Sequence, residues 1–314
     1  MTQGEAVSAA ATVARVVVSG LTKDFGTLRA VDHLSFTVDQ GSVTGFLGPN
    51  GAGKTTTLRM ILGLAAPTSG VGTISGSRYV DLTDPARTVG AVLEATSFLP
   101  GRTARNHLRV FCAAAGVDDR RADQLLELVG LSGVARVPVQ GFSLGMRQRL
   151  SLATALIGDP RVLILDEPAN GLDPQGMAWL RQLLRHMADV EGRAVLVSSH
   201  VLSEVEQIVD RVVILARGRL IYHGTLRDLP GGRETVVLRT PVPEAARAAL
   251  AALGAEVSDS VDTSLTVTGL PISAVGHACW QASVEVHELR TVGASLEQRF
   301  LSLTADSGQP APSR

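Results

Sequence analysis

From Arg15 to about Gly232, short runs of valine, isoleucine and leucine alternate with stretches of helical spacing. This is the pattern of an α/β domain whose helices pack on a sheet. The runs Arg161 to Asp166 and Arg193 to Ser199 are apolar almost throughout, as strands covered on both faces must be. Both end in polar residues. After Pro174, a residue suited to the first turn of a helix, Leu180, Leu183, Leu184 and Met187 recur at i, i+3, i+4 and i+7 and predict a helix with one buried face. Leu58, Ile61 and Leu62 give a shorter stripe directly after a glycine-rich turn, again read as core.

Beyond Pro230-Gly231-Gly232 the pattern changes. Glu234 to Arg239 predicts a strand and Pro243 to Leu253 an alanine-rich helix. A strand pair and a second helix follow. The polar/apolar alternation of Ser283 to Val286 predicts a further strand, and Leu296 to Leu303 a last helix. The chain is therefore expected to consist of a main domain over 15–230, a small α+β domain over 233–304, and disordered tails at 1–14 and 305–314.

Composition narrows the class. With 45% hydrophobic and 19% charged residues the chain buries enough apolar surface to order itself, and 314 residues leave room for two cores. A formal net charge of −1 offers no bulk attraction to nucleic acid or anionic lipid. Cys112 and Cys279 lack the spacing of a disulfide framework or a zinc site, which points to a reducing, cytoplasmic setting. The first residues lack the basic and apolar regions of a signal peptide. No uncharged apolar run reaches the roughly 20 residues that span a bilayer, so any membrane path is expected from another chain.

The chemistry concentrates in two motifs. Gly48-Pro49-Asn50-Gly51-Ala52-Gly53-Lys54-Thr55 is a complete GxxxxGK[ST] loop between a strand-like run, Ser42 to Leu47, and a helix. Glycines let consecutive amides and the helix N-terminus close around phosphate. Lys54 then reaches the β- and γ-phosphates, and the Thr55 hydroxyl meets Mg²⁺. The second motif, Val162 to Pro168, is an apolar strand ending in adjacent carboxylates, costly at a buried strand end unless a cation or ligand meets them. Asp166 suits Mg²⁺, and Glu167 suits the base that activates water. Taken alone, the pair also reads as solvated strand-end charge.

With these residues in place, the sequence from Arg15 to about Thr225 resembles an ABC-type nucleotide-binding domain. That is an α/β P-loop NTPase fold with an antiparallel β subdomain and a helical subdomain, here at about 95–155. Phe142 to Leu150 stands where the family carries its signature. By resemblance Ser143, Leu144, Gly145 and Met146 meet the ATP of a partner subunit, with Leu144 and Met146 departing from the usual glycine and glutamine. Taken alone, Ser143 is a helix N-cap. Gly171-Leu172-Asp173-Pro174 resembles the D-loop, in which Asp173 links two sites, although alone it is a turn into a helix. His200 resembles the switch histidine. Phe25 stands at the place of the aromatic that stacks on adenine, and Glu94 at the position where the family usually has the glutamine of the Q-loop. A coupling role and direct Mg²⁺ contact are both open for Glu94. The resemblance implies ATP contacts from Phe25 and from Gly48 through Thr55 and Thr56, and catalysis by Glu167, His200 and Lys54.

It also implies a homodimer or paired ATPase, with ATP and Mg²⁺, at the cytoplasmic face of the cell membrane, driving a separately encoded integral-membrane permease. Ser295 to Thr304 resembles the closing helix of ATPases that serve ABC-2 type exporters, so export of a drug or hydrophobic compound is expected. The alternatives are an import motor, and an ABC ATPase acting on nucleic acid or ribosomes. Against the latter, only about 90 residues separate phosphate loop and signature, too few for the long coiled coil of the repair type. No nucleic acid partner is expected.

Overall fold

The apolar runs upstream of Thr225 form two sheets. Their strands are β1 (Ala14–Phe25), β2 (Leu28–Asp39), β3 (Ser42–Leu47), β4 (Ser69–Ile74), β5 (Val89–Val92), β6 (Val162–Leu165), β7 (Ala194–Ser199), β8 (Arg211–Ala216) and β9 (Arg219–Thr225). The helices among them are α1 (Lys54–Ile61), α2 (Pro85–Thr88), α3 (Ala104–Ala114), α4 (Arg120–Leu128), α5 (Leu144–Ala155), α6 (Pro174–Asp189) and α7 (Leu202–Val205). This computed structural model describes residues 14–93, 98–230, 235–259, 264–292 and 296–305. By its internal contacts the chain divides into two units, Met1–Asp228 and Leu229–Arg314.

In the first unit a three-stranded antiparallel sheet, β2-β1-β4, faces a six-stranded sheet in the order β5-β6-β7-β3-β8-β9. All neighbours in the larger sheet run parallel except the edge strand β9. Every residue of β3, β6 and β7 is buried, as expected of largely apolar strands covered on both faces, and Ser42, Thr44, Ser198 and Ser199 are buried with them. One core runs through both sheets and α1. The rings of Phe36 on β2 and Phe46 on β3 lie 5.3 Å apart within it, and Leu58, Ile61 and Leu62 fill it from α1 and its C-cap. The predicted helix after Pro174 is α6, with Leu180, Leu183, Leu184 and Met187 on its buried side.

Between β5 and β6 lie α3, α4 and α5. Here α3 buries a histidine, His107, whose ring sits 4.9 Å from Phe98 on one side and 4.9 Å from Phe111 on the other. Its Nε2 is 3.2 Å from Thr154 Oγ1 on α5. Burial, reinforced by the charge of Arg102, lowers its pKa from 6.5 to about 4. The folded protein therefore holds His107 neutral where the unfolded chain protonates it, so stability is complete above about pH 6.5 and drains away as pH falls toward 4. In urea unfolding at pH 7 and pH 5, the parent should lose about 2 kcal/mol more than His107→Phe over this interval. Equal losses in the two proteins would place the histidine in contact with water instead.

The second unit has the strands β10 (Thr235–Arg239), β11 (Glu256–Asp259), β12 (Ser264–Thr268) and β13 (Glu288–Val292) and the helices α8 (Pro243–Ala251), α9 (Ile272–Gln281) and α10 (Leu296–Ala305). The strands form an antiparallel sheet in the order β11-β12-β10-β13. With βαββαβ order along the chain, this is the split βαβ arrangement of ferredoxin-like domains. Val236, Leu238, Leu265 and Val267 pack with Leu250, Val275 and Cys279 of the helices in a separate core.

One predicted strand is absent. Ser283 to Val286 is the end of α9: Ser283 takes φ +53, its amide donates to Trp280 O at 3.1 Å, and that of Val284 donates to Cys279 O at 2.8 Å. Those two bonds form a Schellman cap, and burial of Val284 beside Cys279 supplies its apolar contact. The alternation there comes from a cap, and the strand begins only at Glu288. The helix predicted to run to Leu253 stops at Ala251, and α10 takes in Ala305. Ala14 pairs with Asp39 at the start of β1. The remaining tail positions, 1–13 and 306–314, lie outside the described residues, as does Glu234.

Candidate functional site

The carboxyl ends of parallel strands are where open α/β sheets bind ligands. Here the ends of β3, β7 and β6 lie side by side and carry, respectively, the glycine-rich loop, His200 and the pair Asp166-Glu167. The loop, from Gly48 to Gly53, leads straight into α1. Gly53 is the N-cap at φ 97, a conformation open to glycine, and a Cβ on it would lie 2.6 Å from Ala30 O. No side chain caps α1, so its first-turn amides and the positive end of its dipole are available to an anion. Gly48 is buried at the start of the loop, whereas Pro49, Asn50 and Gly51 are exposed at its crest; Ala52 is buried and Thr56 half-buried behind it. Lys54, 6% exposed, folds back along the loop and donates to Gly48 O at 2.6 Å.

Lys54 also reaches across to Glu167, its Nζ 3.7 Å from Oε1. The other carboxylate oxygen, Oε2, lies 2.8 Å from His200 Nδ1. One carboxylate is thus held between two cationic or proton-bearing groups that arrive from different strands. Its backbone is strained, with φ +50 at a residue that is not glycine. Two residues hold that conformation, and neither was singled out from the sequence. Ser198 Oγ accepts the Glu167 amide at 2.9 Å while its hydroxyl donates to Asp166 Oδ1. Gln148 Nε2 donates to Glu167 O at 3.4 Å from α5, the helix that starts with the signature. The available signal was a polar residue inside the apolar run of β7, legible in retrospect as a side chain turned toward β6.

Asp166 is 7% exposed and accepts from the Thr55 hydroxyl at 2.7 Å. A carboxylate and a hydroxyl in contact at a phosphate loop form a hard oxygen donor set. It fits Mg²⁺, which binds through one or two protein oxygens and completes its shell with phosphate and water. No cluster of three or more His, Cys, Asp or Glu suited to a metal occurs among the described residues, so no competing all-protein site stands beside it.

The remaining site residues lie further out. Phe25 is 54% exposed at the end of β1. Ser143 caps α5, accepting from the Met146 amide at 3.2 Å. Leu144 is seated on the turn Gly171-Leu172-Asp173: a Cβ on Gly171 would lie 2.2 Å from its Cδ2, so this pairing needs glycine at 171. The Gly145 Cα faces Gly171 O, which a Cβ would approach to 3.2 Å. Asp173 caps α6 by accepting from the Gly176 amide at 2.7 Å. Glu94 lies outside the described residues.

Comparison with known proteins agrees with this geometry. Residues 31–170 match the family described as ABC transporter, and residues 234–297 match a domain of unknown function (DUF8746). The bacitracin transport ATP-binding protein BcrA of Bacillus licheniformis is 44% identical over 208 residues, 66% of this chain and 68% of that one. An ABC transporter ATP-binding protein of Bacillus subtilis, YhcH, is 36% identical over 294 residues, 92% of this chain and 96% of the other. A solved dimeric ATP-binding cassette in a post-hydrolysis state, bound to ADP and Pi, superposes with a TM-score of 0.62 at 25% identity, covering 68% of this chain and 99% of that one. A phosphate loop, paired strand-end carboxylates and a histidine gathered at one sheet edge, with relatives matched over most of their length, make this chain a member of the ABC transporter family, of which it is the ATP-binding, ATP-hydrolysing subunit.

Proposed function

We propose that the chain is the motor of an exporter, closing as a two-fold dimer on two ATP molecules and opening on hydrolysis to move a separate permease. The observation that carries this reading is Glu167 suspended between Lys54 and His200. With ATP on the loop, Lys54 leaves Gly48 O for the β- and γ-phosphates, and the α1 amides take up the remaining phosphate charge. Glu167, relieved of Lys54, accepts a proton from the attacking water, and His200 donates to the γ-phosphate. Asp166 and Thr55 would hold Mg²⁺, which when bound neutralises charge on the phosphate oxygens. Ser198 ties the two acidic residues together through one hydroxyl, donating to the Asp166 carboxylate and accepting from the Glu167 amide. Phe25, exposed and aromatic, offers a stacking face to adenine.

Signature residues Ser143 to Met146 meet the partner's nucleotide in this reading, and Asp173 adds to its capping role a contact across the dimer. Glu94 follows β5 and so starts the segment leading to α3. A groove of about 690 Å³ lined by Arg59, Leu62, Leu93, Phe111, Thr154 and Ile157 among others offers a mixed apolar and polar seat for a cytoplasmic helix of the permease. No helix among the described residues is long and apolar enough to cross a membrane, which suits a subunit bound at the membrane through such a partner. The relative named for bacitracin transport supports a peptide or drug-like cargo.

The test is to recover the tagged chain from detergent-solubilised membranes of its native host and assay ATP turnover on the recovered material. A multi-helix membrane protein should co-purify and raise turnover. Recovery with ribosomes or nucleic acid instead would sink the transport reading.

A further inference from the structure

A cation stands behind Phe25 that the hydrolytic scheme does not use. Lys23 and Phe25 lie two apart on β1 and so project on the same side of the strand. The Lys23 ammonium is 5.0 Å from the centre of the Phe25 ring, within cation–π range. It is also anchored, donating to Ala66 O at 2.7 Å in the loop that joins α1 to β4. The next residue repeats the tie: the Asp24 amide donates to Thr68 Oγ1 at 2.9 Å, while its carboxylate takes Arg29 Nε at 2.8 Å across the hairpin. The end of β1 is thus fastened to the segment that continues from the phosphate-loop helix. Phe25 itself is more than half exposed and pairs at the hairpin tip with Leu28, 65% exposed, so core packing does not set the angle of its ring.

We propose that Lys23 is a positioning residue for the nucleotide base, holding one face of the Phe25 ring against its anchored ammonium so that the opposite face is presented to adenine. The inference rests on the reading of Phe25 as the adenine platform. Because Ala66 follows α1 and the phosphate loop precedes it, the same tie sets the reach from triphosphate to base. A ring pinned before the nucleotide arrives loses less freedom on stacking, which is how a residue that never touches ATP raises its affinity.

The experiment is equilibrium binding of ATP and of inorganic tripolyphosphate to the full chain and to Lys23→Met, Lys23→Arg, Phe25→Ala and the Lys23→Met/Phe25→Ala double variant. Methionine keeps most of the apolar stem and removes both the ammonium–ring contact and the bond to Ala66 O. Lys23→Met should weaken ATP roughly twofold to fivefold and leave tripolyphosphate unchanged. It should add nothing on top of Phe25→Ala, and Lys23→Arg should bind as the parent does. Equal weakening of ATP and tripolyphosphate would make Lys23 a phosphate-steering charge and overturn the inference, as would full additivity with Phe25→Ala. Unchanged ATP binding by Lys23→Met beside a weakened Phe25→Ala overturns the role of Lys23 alone. Unchanged ATP binding by Phe25→Ala removes the adenine platform itself.

Discussion

Glu167→Gln will stop turnover while leaving ATP bound. Glutamine keeps the length and shape of the side chain and still offers an oxygen to Lys54 or His200, so the strained backbone and its bonds to Ser198 and Gln148 survive. What is lost is the ability to take a proton from water. Positioned general bases contribute about 10² to 10⁴ in rate, and kcat should fall by that order. Removing a negative charge from beside the γ-phosphate leaves ATP affinity equal to the parent's or tighter. In the proposed cycle hydrolysis opens the dimer, so ATP should now hold it closed, and gel filtration with ATP should show a dimer that persists. A variant that turns over at the parent rate would mean that Glu167 is not the base.

Lys54→Ala fails at the earlier step. The ammonium is buried and already desolvated, with a carbonyl at 2.6 Å and a carboxylate oxygen at 3.7 Å in the places that the proposed mechanism gives to phosphate oxygens. Charge-assisted hydrogen bonds of this kind contribute about 1.5 to 3 kcal/mol, so affinity should drop by about one to two orders of magnitude. The loss is compounded because Glu167 then faces the γ-phosphate with one cation fewer. Titration with a fluorescent ATP analogue reads the effect, and thermal unfolding of the free protein separates it from misfolding. Affinity within a factor of two of the parent would count against the phosphate-loop reading.

The local chemistry of the site was legible residue by residue. The loop from Gly48 to Thr55 declares itself because its glycines are needed wherever it occurs: a Cβ at Gly53 collides with Ala30 O irrespective of what is bound. The caps at Ser143 and Asp173 were equally legible, since an N-cap bond spans only three residues. The alternation at Ser283 to Val286 misled because a Schellman cap buries Val284 as a strand would, while the left-handed residue that marks it is a serine and not the usual glycine. Ser198 was passed over for a different reason: its partners, Asp166 and Glu167, belong to a neighbouring strand.

The sequence by itself determined the class of fold, the order of the motifs and the reagents each one offers, because these follow from periodicity, turn chemistry and side-chain type acting over a few residues. Only the tertiary structure decided which of those reagents meet. Lys54, Glu167 and His200 are far apart in the chain, and they converge because β7 is inserted between β6 and β3, an order set by long-range strand pairing and the burial it allows. The same pairing sets Ser198 between the Asp166 carboxylate and the Glu167 amide, while the tie from Lys23 to Ala66 O forms where β1 meets the segment that follows α1. Contacts of that range depend on how whole elements pack, and no local pattern in the chain encodes them.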